Sequence, residues 1–169
     1  MVHYFFDTSA LKHRYIKSPQ HARICKITSD KRNSCYICDF TILEMASALG
    51  SVCRDTNAGI KKYDSMNSRF FEDIHTGRIQ VRTTTWVSTL RARNLLRFGG
   101  VILGAPFGSA DALIASTCLD LAHELKVRFR FYTGDWELYR LLRQIDVFKA
   151  GMILQYIFPP RQGILARTG

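Results

Sequence analysis

Residues 3–11 read HYFFDTSAL. An apolar run, Tyr4-Phe5-Phe6, ends at a carboxylate, Asp7; Thr8 and Ser9 follow at once, and a helical pattern opens at Ala10. The pattern predicts a buried strand that delivers an acid to its carboxyl end and turns directly into a helix. In open parallel α/β sheets, that edge is where ligands and ions bind. Asp, Ser and Thr are also the residues that cap helices. Asp7 by itself therefore suits a site and a cap equally well. What weighs on the choice is that comparable arrangements recur three more times in the chain.

Outward from this stretch, residues 10–17 read as a short basic helix and residues 20–31 as a second helix. Asn33-Ser34 reads as a turn. Residues 35–40, CYICDF, form a compact apolar run expected to be the second buried strand. Thr41 then opens a helix in which Thr41-x-x-Glu44 fits a capping box, with Glu44 reaching back to the Thr41 backbone N–H. Residues 59–76 carry Ile60, Tyr63, Met66, Phe70, Phe71 and Ile74 at helical spacing, and Gly77 ends that segment. Residues 79–83 alternate as a strand. Residues 85–98 resume a helical pattern, with Trp86, Val87 and Leu90 on the apolar face and Arg91, Arg93 and Arg97 opposite, and Gly99-Gly100 stops it. Residues 101–108 read as a loop, and Ser109 opens a helix with Asp111 in its first turn. Residues 127–133 are a fourth strand, Gly134-Asp135 a sharp turn and residues 136–143 a short helix. Val147-Phe148 reads as a very short strand and residues 152–158 as an appended edge strand. Strands alternating with helices imply a parallel sheet between helical layers. One domain over residues 1–158, with a flexible tail over 159–169, is expected.

The chain has 169 residues and a net charge of +10. That excess suits a polyanionic partner such as nucleic acid. No apolar run approaches the length that spans a bilayer, and no secretory leader is visible, so a cytoplasmic protein with no membrane role is expected. The five cysteines fall in apolar or periodic segments and read as small buried hydrophobes. Cys35-x-x-Cys38 matches a metal or redox spacing but has no second pair.

Four acids stand at comparable places: Asp7 after the first strand, Glu44 just after the second, Asp111 at the head of the helix before the fourth, and Asp135 after the fourth. The carboxyl edge of a parallel sheet and the adjacent helix N-termini share one face, so all four can converge. Converging carboxylates repel and raise one another's pKa values unless a cation neutralises them. Carboxylate oxygens select Mg²⁺ or Mn²⁺ rather than zinc. The pattern points to a divalent-metal phosphodiester hydrolase, with Lys and Arg holding the nucleic-acid backbone. Taken singly, Asp135 also suits a helix cap, Asp111 a dipole-favourable surface acid and Glu44 half of a capping box. Lys12, His13, Arg14 and Lys17 follow Asp7 on the first helix and suit either the flank of the groove or a solvated helix face, the second being the reading preferred here.

The ordered set F-x-D-T-S-A-L (residues 5–11), T-x-x-E with its following Ala-Leu run (41–49), S-A-D-A-L-I-A (109–115) and T-G-D (133–135) resembles the PIN domain family, and most of all its VapC-type toxin ribonucleases. The resemblance covers roughly residues 2–148. It implies a three-layer α/β/α sandwich with a central parallel sheet and Mg²⁺- or Mn²⁺-dependent cleavage of RNA. By motif position it implies Asp7, Glu44, Asp111 and Asp135 as the metal-binding and catalytic acids, with Ser9 and Thr133 as supporting groups that orient them or a water. It also implies a homodimer held in check by a small antitoxin protein. A catalytically inert PIN-like module that binds RNA or protein is the alternative. A response-regulator receiver needs an acidic pair after the first strand, and a haloacid-dehalogenase-like phosphatase needs D-x-D there; Asp7-Thr8-Ser9 supplies neither.

Overall fold

The computed structural model describes residues 1–102, 104 and 108–158. Five parallel strands, β1 (Val2–Phe6), β2 (Asn33–Cys38), β3 (Gln80–Arg82), β4 (Phe129–Thr133) and β5 (Met152–Tyr156), form one sheet in the order β3-β2-β1-β4-β5. Eight α-helices flank it: α1 (Thr8–Leu11), α2 (His21–Ser29), α3 (Phe40–Asp55), α4 (Gly59–His75), α5 (Trp86–Arg97), α6 (Ser109–Leu125), α7 (Trp136–Leu142) and α8 (Asp146–Gly151). The expected three-layer α/β/α sandwich around a parallel sheet is what forms.

The strands are apolar on both faces because both faces are covered. Tyr4 and Phe6 of β1, with Cys35 and Ile37 of β2, join a core built with Met45 and Leu49 of α3 and Met66 and Phe70 of α4. Phe5, Tyr36 and Cys38 point the other way, into a core with Ala115, Cys118 and Leu119 of α6. Cys35 and Cys38 thus lie on opposite faces of β2, as the two-residue period of a strand requires, and cannot ligate one ion. The five cysteines are free.

The chain builds outward from β1 through β2 to β3, then crosses back to place β4 on the other side of β1. The strand order therefore reverses between β1 and β4. In open α/β sheets, ligands bind at such a switch, outside the carboxyl ends of the strands. Asp7 follows β1 there, and Thr133 and Asp135 close β4. The Asp7 N–H donates to the Tyr132 carbonyl at 3.0 Å, which locks the two strand ends together. Gly134 is needed for space: a Cβ on it would stand 3.0 Å from the Ser9 carbonyl oxygen, a backbone atom that cannot swing away.

Several local expectations are corrected. Asn33 and Ser34 are not a turn; they pair with Val2 and His3 and begin β2. Val147-Phe148 is not a strand but part of α8, with Phe148 buried. Gly99-Gly100 does not stop α5, which runs on as a π-helical turn over Phe98–Ile102. Of the loop expected over 101–108, residues 103 and 105–107 lie outside the described residues, as does the expected tail over 159–169. On α5, Trp86, Val87 and Leu90 are exposed rather than core, because the helix packs along α6 through Ser88, Ala92 and Leu95. Arg91 of the supposed solvent face instead pairs with Asp120 of α6.

The basic face expected after Asp7 is split: His13 and Arg14 are buried, Lys12 is half-buried and Lys17 is exposed. Arg14 donates to both carboxylate oxygens of Asp73 on α4 and to the Thr28 hydroxyl at 2.5 Å, and Tyr15 donates to Asp73 at 2.8 Å. Arg14 and Asp73 are 8% and 3% exposed. Burial alone would raise the Asp73 carboxyl, but the hydrogen bonds from Arg14, Tyr15 and Arg78 outweigh it and hold it below the usual carboxylate value.

The capping box at Thr41 does not form. Helix α3 starts one residue earlier, and its cap is Asp39, whose carboxylate accepts the Phe40 N–H at 2.9 Å and the Thr84 N–H and hydroxyl at 3.1 and 2.6 Å. Asp39 wins because it ties α3 to the loop after β3 as well as capping. Thr41 is left fully buried with no hydrogen-bond partner for its hydroxyl among the described residues. An unmet buried hydroxyl costs about 1–3 kcal/mol. Thr41→Val keeps the shape and removes that hydroxyl, so a rise in unfolding free energy of about 0.5–1 kcal/mol is expected in urea melts. A capping role predicts a loss of about 1 kcal/mol instead.

Candidate active site

Asp7 is 2% exposed and is held by two hydroxyls at once. Ser9 and Thr133 both donate to its Oδ2, Thr133 at 2.8 Å. Each hydroxyl in turn accepts one backbone N–H. The Gly134 N–H donates to Ser9 Oγ at 2.7 Å, and the Asp135 N–H donates to Thr133 Oγ1 at 2.9 Å. With both protons directed at Asp7, the 3.2 Å approach of the two hydroxyls to each other is a packing contact. The turn after β4 thereby fixes Asp7 through its own backbone, and the Asp7 rotamer is set before any ligand arrives. Even so, burial raises the Asp7 carboxyl above its ordinary value, against the hydrogen bonds that lower it.

Glu44 lies one turn into α3. Freed of the capping box, it accepts a hydrogen bond from Thr8 Oγ1 at 2.6 Å. Thr8 is the residue after Asp7, so α1 positions two acids from adjacent side chains. Asp111 sits in the first turn of α6 and folds back over Gly108. A Cβ at that glycine would come within 2.8 Å of the Asp111 Oδ2. Asp135 caps α7, its Oδ1 accepting the Leu138 N–H at 2.9 Å. The cap uses one carboxylate oxygen, so capping and a role in the site do not exclude each other.

All four acids line one cavity of about 280 Å³, together with Thr8, Ser9, Lys12 and Ser47. Burial first, with repulsion from neighbouring acids added, raises Asp7, Glu44 and Asp111. Asp111 is pushed up to about 7, first by burial and then by the charges of Asp7, Asp135 and Glu44. Glu44 is raised by burial and by Asp7, with the Thr8 hydroxyl opposing. Among the described residues, no Lys or Arg forms an ion pair with any of the four. Nor are any three His, Cys, Asp or Glu side chains already drawn into a finished metal cage. Oxygen donors of one sign, gathered in a cavity and uncompensated, are what a hard divalent cation requires. The donor set fits such an ion by chemistry, and closing on it asks the carboxylates to draw together.

Thr8 and Ser47 are not among the residues the sequence singles out, and Lys12 stands there only as one of four basic residues that suit the groove's flank or a solvated face. Thr8 could have been found from its position beside Asp7 at the head of α1. Lys12 follows one helical turn later on the same face, a placement that a basic run hides.

The raised acids set a pH dependence. A carboxyl whose folded pKa exceeds its unfolded value contributes stability that is present at low pH and lost as pH rises through the folded value. For Asp111 the loss runs from about 4 to about 7. His13, held below its ordinary 6.5 by burial, works in the opposite direction, but below that pH. Between pH 6.5 and 8.5 the carboxylates therefore dominate among these groups. Only the upper end of the Asp111 loss falls in that window, under about 1 kcal/mol, so the Tm of the metal-free protein is expected to fall by about 1–3 °C across it. In Asp111→Asn most of the fall disappears.

No family model matches this sequence, and no curated protein matches it. Among solved structures, the chain is similar to one in the crystal structure of VapBC2 from Rickettsia felis bound to a DNA fragment from their promoter. The TM-score is 0.59 and the identity 17%, over 92% of this chain and 98% of that one. At that identity the likeness shows a shared fold.

Proposed function

We propose that the protein is a divalent-metal-dependent endoribonuclease of the VapC type, the toxin of a toxin–antitoxin pair. The observation that carries this reading is the convergence of Asp7, Glu44, Asp111 and Asp135 on one cavity at the β1/β4 switch point, without a compensating ion pair. The fold shared with a VapBC2 chain supports it. Asp7, Glu44, Asp111 and Asp135 are the residues to hold a Mg²⁺ or Mn²⁺ ion. Such an ion, when bound, lowers the pKa of a water and neutralises charge on the scissile phosphate.

The chain's own contributions can be assigned. Ser9 and Thr133 orient Asp7 and keep its Oδ2 engaged. Thr8 orients Glu44. Without a cation Asp111 is pushed up to about 7, so at physiological pH a metal ion competes with a proton there. The net charge of +10 suits an RNA substrate. An antitoxin partner and a homodimer belong to the same reading. Among the described residues no helix is long and apolar enough to cross a membrane.

The test is incubation of the purified protein with total RNA in Mg²⁺, in Mn²⁺ and in EDTA. Discrete fragments that require metal are expected. RNA binding without cleavage in any metal would instead indicate an inert RNA-binding module.

A further inference from the structure

We infer that Lys12 is a substrate-binding residue, which holds a backbone phosphate of single-stranded RNA at the mouth of the acidic cavity. The inference rests on the nuclease reading and adds a residue to it. The fold splits the basic run Lys12–Arg14, which forms a 3-10 turn after α1. Arg14 turns inward to Asp73. His13 is buried, with its Nδ1 2.8 Å from the Ser18 hydroxyl. Lys12 alone of the three lines the cavity.

Its charge is uncommitted. Four carboxylates line the same cavity, yet among the described residues none lies within ion-pair distance of the Lys12 ammonium. A lysine placed only to neutralise those acids has every electrostatic reason to lie against one of them. Instead it is half-buried at the cavity and makes no ion pair among the described residues, which leaves its charge available to a ligand.

The charge balance shows why a nuclease needs it. With all four acids ionised, one bound divalent ion leaves two negative charges in the cavity. An RNA phosphate, itself negative, must approach that surplus. Lys12 is the only basic side chain among the described residues lining the cavity, and it halves the surplus. An ammonium acts on phosphate as a compact point charge, without demanding the planar geometry of a guanidinium.

The test separates binding from cleavage. A fluorescent single-stranded RNA is titrated with the Asp7→Asn/Asp111→Asn protein at several KCl concentrations, alone and with Lys12→Met or Lys12→Arg added. Each phosphate neutralised on a single strand contributes about 0.7 to the log–log salt slope. Lys12→Met is expected to weaken binding roughly three- to tenfold at low salt and to reduce the slope by about 0.7. Lys12→Arg keeps the slope. In the otherwise wild-type protein, Lys12→Met raises KM more than it lowers kcat. Unchanged affinity and slope in Lys12→Met overturn the inference, even if the wild type cleaves RNA. A wild type that cleaves no RNA in Mg²⁺ or Mn²⁺ overturns the nuclease reading, while the salt slope still reports on Lys12 separately. A purely structural Lys12 would shift the pH dependence of Tm and leave the slope untouched.

Discussion

Asp7→Asn is expected to lower RNA cleavage by more than about a hundredfold while leaving the metal-free protein at least as stable as the wild type at pH 8. Changes to groups one step removed from a metal already cost about 10–100-fold, and Asp7 is assigned to the ion directly. The stability half follows from its surroundings. Asp7 is nearly fully buried, and burial disfavours its ionised form. Asn is close to isosteric, and its carbonyl oxygen can still accept the hydroxyls of Ser9 and Thr133 that now reach Oδ2. The substitution therefore removes a buried charge without orphaning its partners. Melting curves and cleavage rates on the same preparations check both halves. A Tm lowered by many degrees would mark Asp7 as structural, the helix-cap reading. Lost activity with an intact or raised Tm marks it as functional.

Asp73→Ala is expected to be the most damaging single change to stability. It removes the shared acceptor of Arg14, Tyr15 and Arg78 and leaves the Arg14 guanidinium buried and largely unpaired. Breaking one side of a buried pair costs about 3–5 kcal/mol. For a chain of this length that is a Tm fall of roughly 6–20 °C. The network also joins the turn after α1 to α4 and, through Thr28, to α2. It therefore fixes the segment that carries Lys12. Because Asp73 is held below its ordinary value, its contribution is present above about pH 4 and is lost as pH falls through the folded value. Arg14→Met/Asp73→Leu, which removes both charges, is expected to recover much of the loss, since apolar replacement of a buried pair is often neutral. Urea melts of the single and double variants give the comparison.

The order of strands and helices was legible because the apolar runs are strong and separated by turn residues. Tyr4-Phe5-Phe6 and the apolar Phe129, Phe131 and Tyr132 leave little choice. The placement of the four acids at one edge followed from their positions relative to those runs. What escaped depended on competition or on distance in sequence. Thr41 and Asp39 both suit a cap, and only the tertiary hydrogen bonds that Thr84 donates to Asp39 decide between them. The burial of Arg14 needs a partner 59 residues away, which no local pattern reveals. Val147-Phe148 is too short a run for periodicity to tell helix from strand. On α5 the apolar spacing was present, but Trp86 and Leu90 face solvent because α6 covers the adjoining face through Ser88 and Ala92. The sequence offers Lys12, His13 and Arg14 alike as a flank of the groove or a solvated face, and only the tertiary structure separates Lys12, which lines the cavity, from the two that turn inward.

Four carboxylates that form one divalent-cation site must take up such a cation in solution. Calorimetric titration of the wild type with Mn²⁺ at pH 7, in two buffers of different ionisation enthalpy, tests it most directly. Because Asp111 is raised to about 7, cation uptake is expected to release a fraction of a proton. Both the uptake and the release are expected to vanish in Asp7→Asn/Asp111→Asn. No uptake by the wild type at millimolar Mn²⁺, or equal uptake by the double variant, would contradict the assignment.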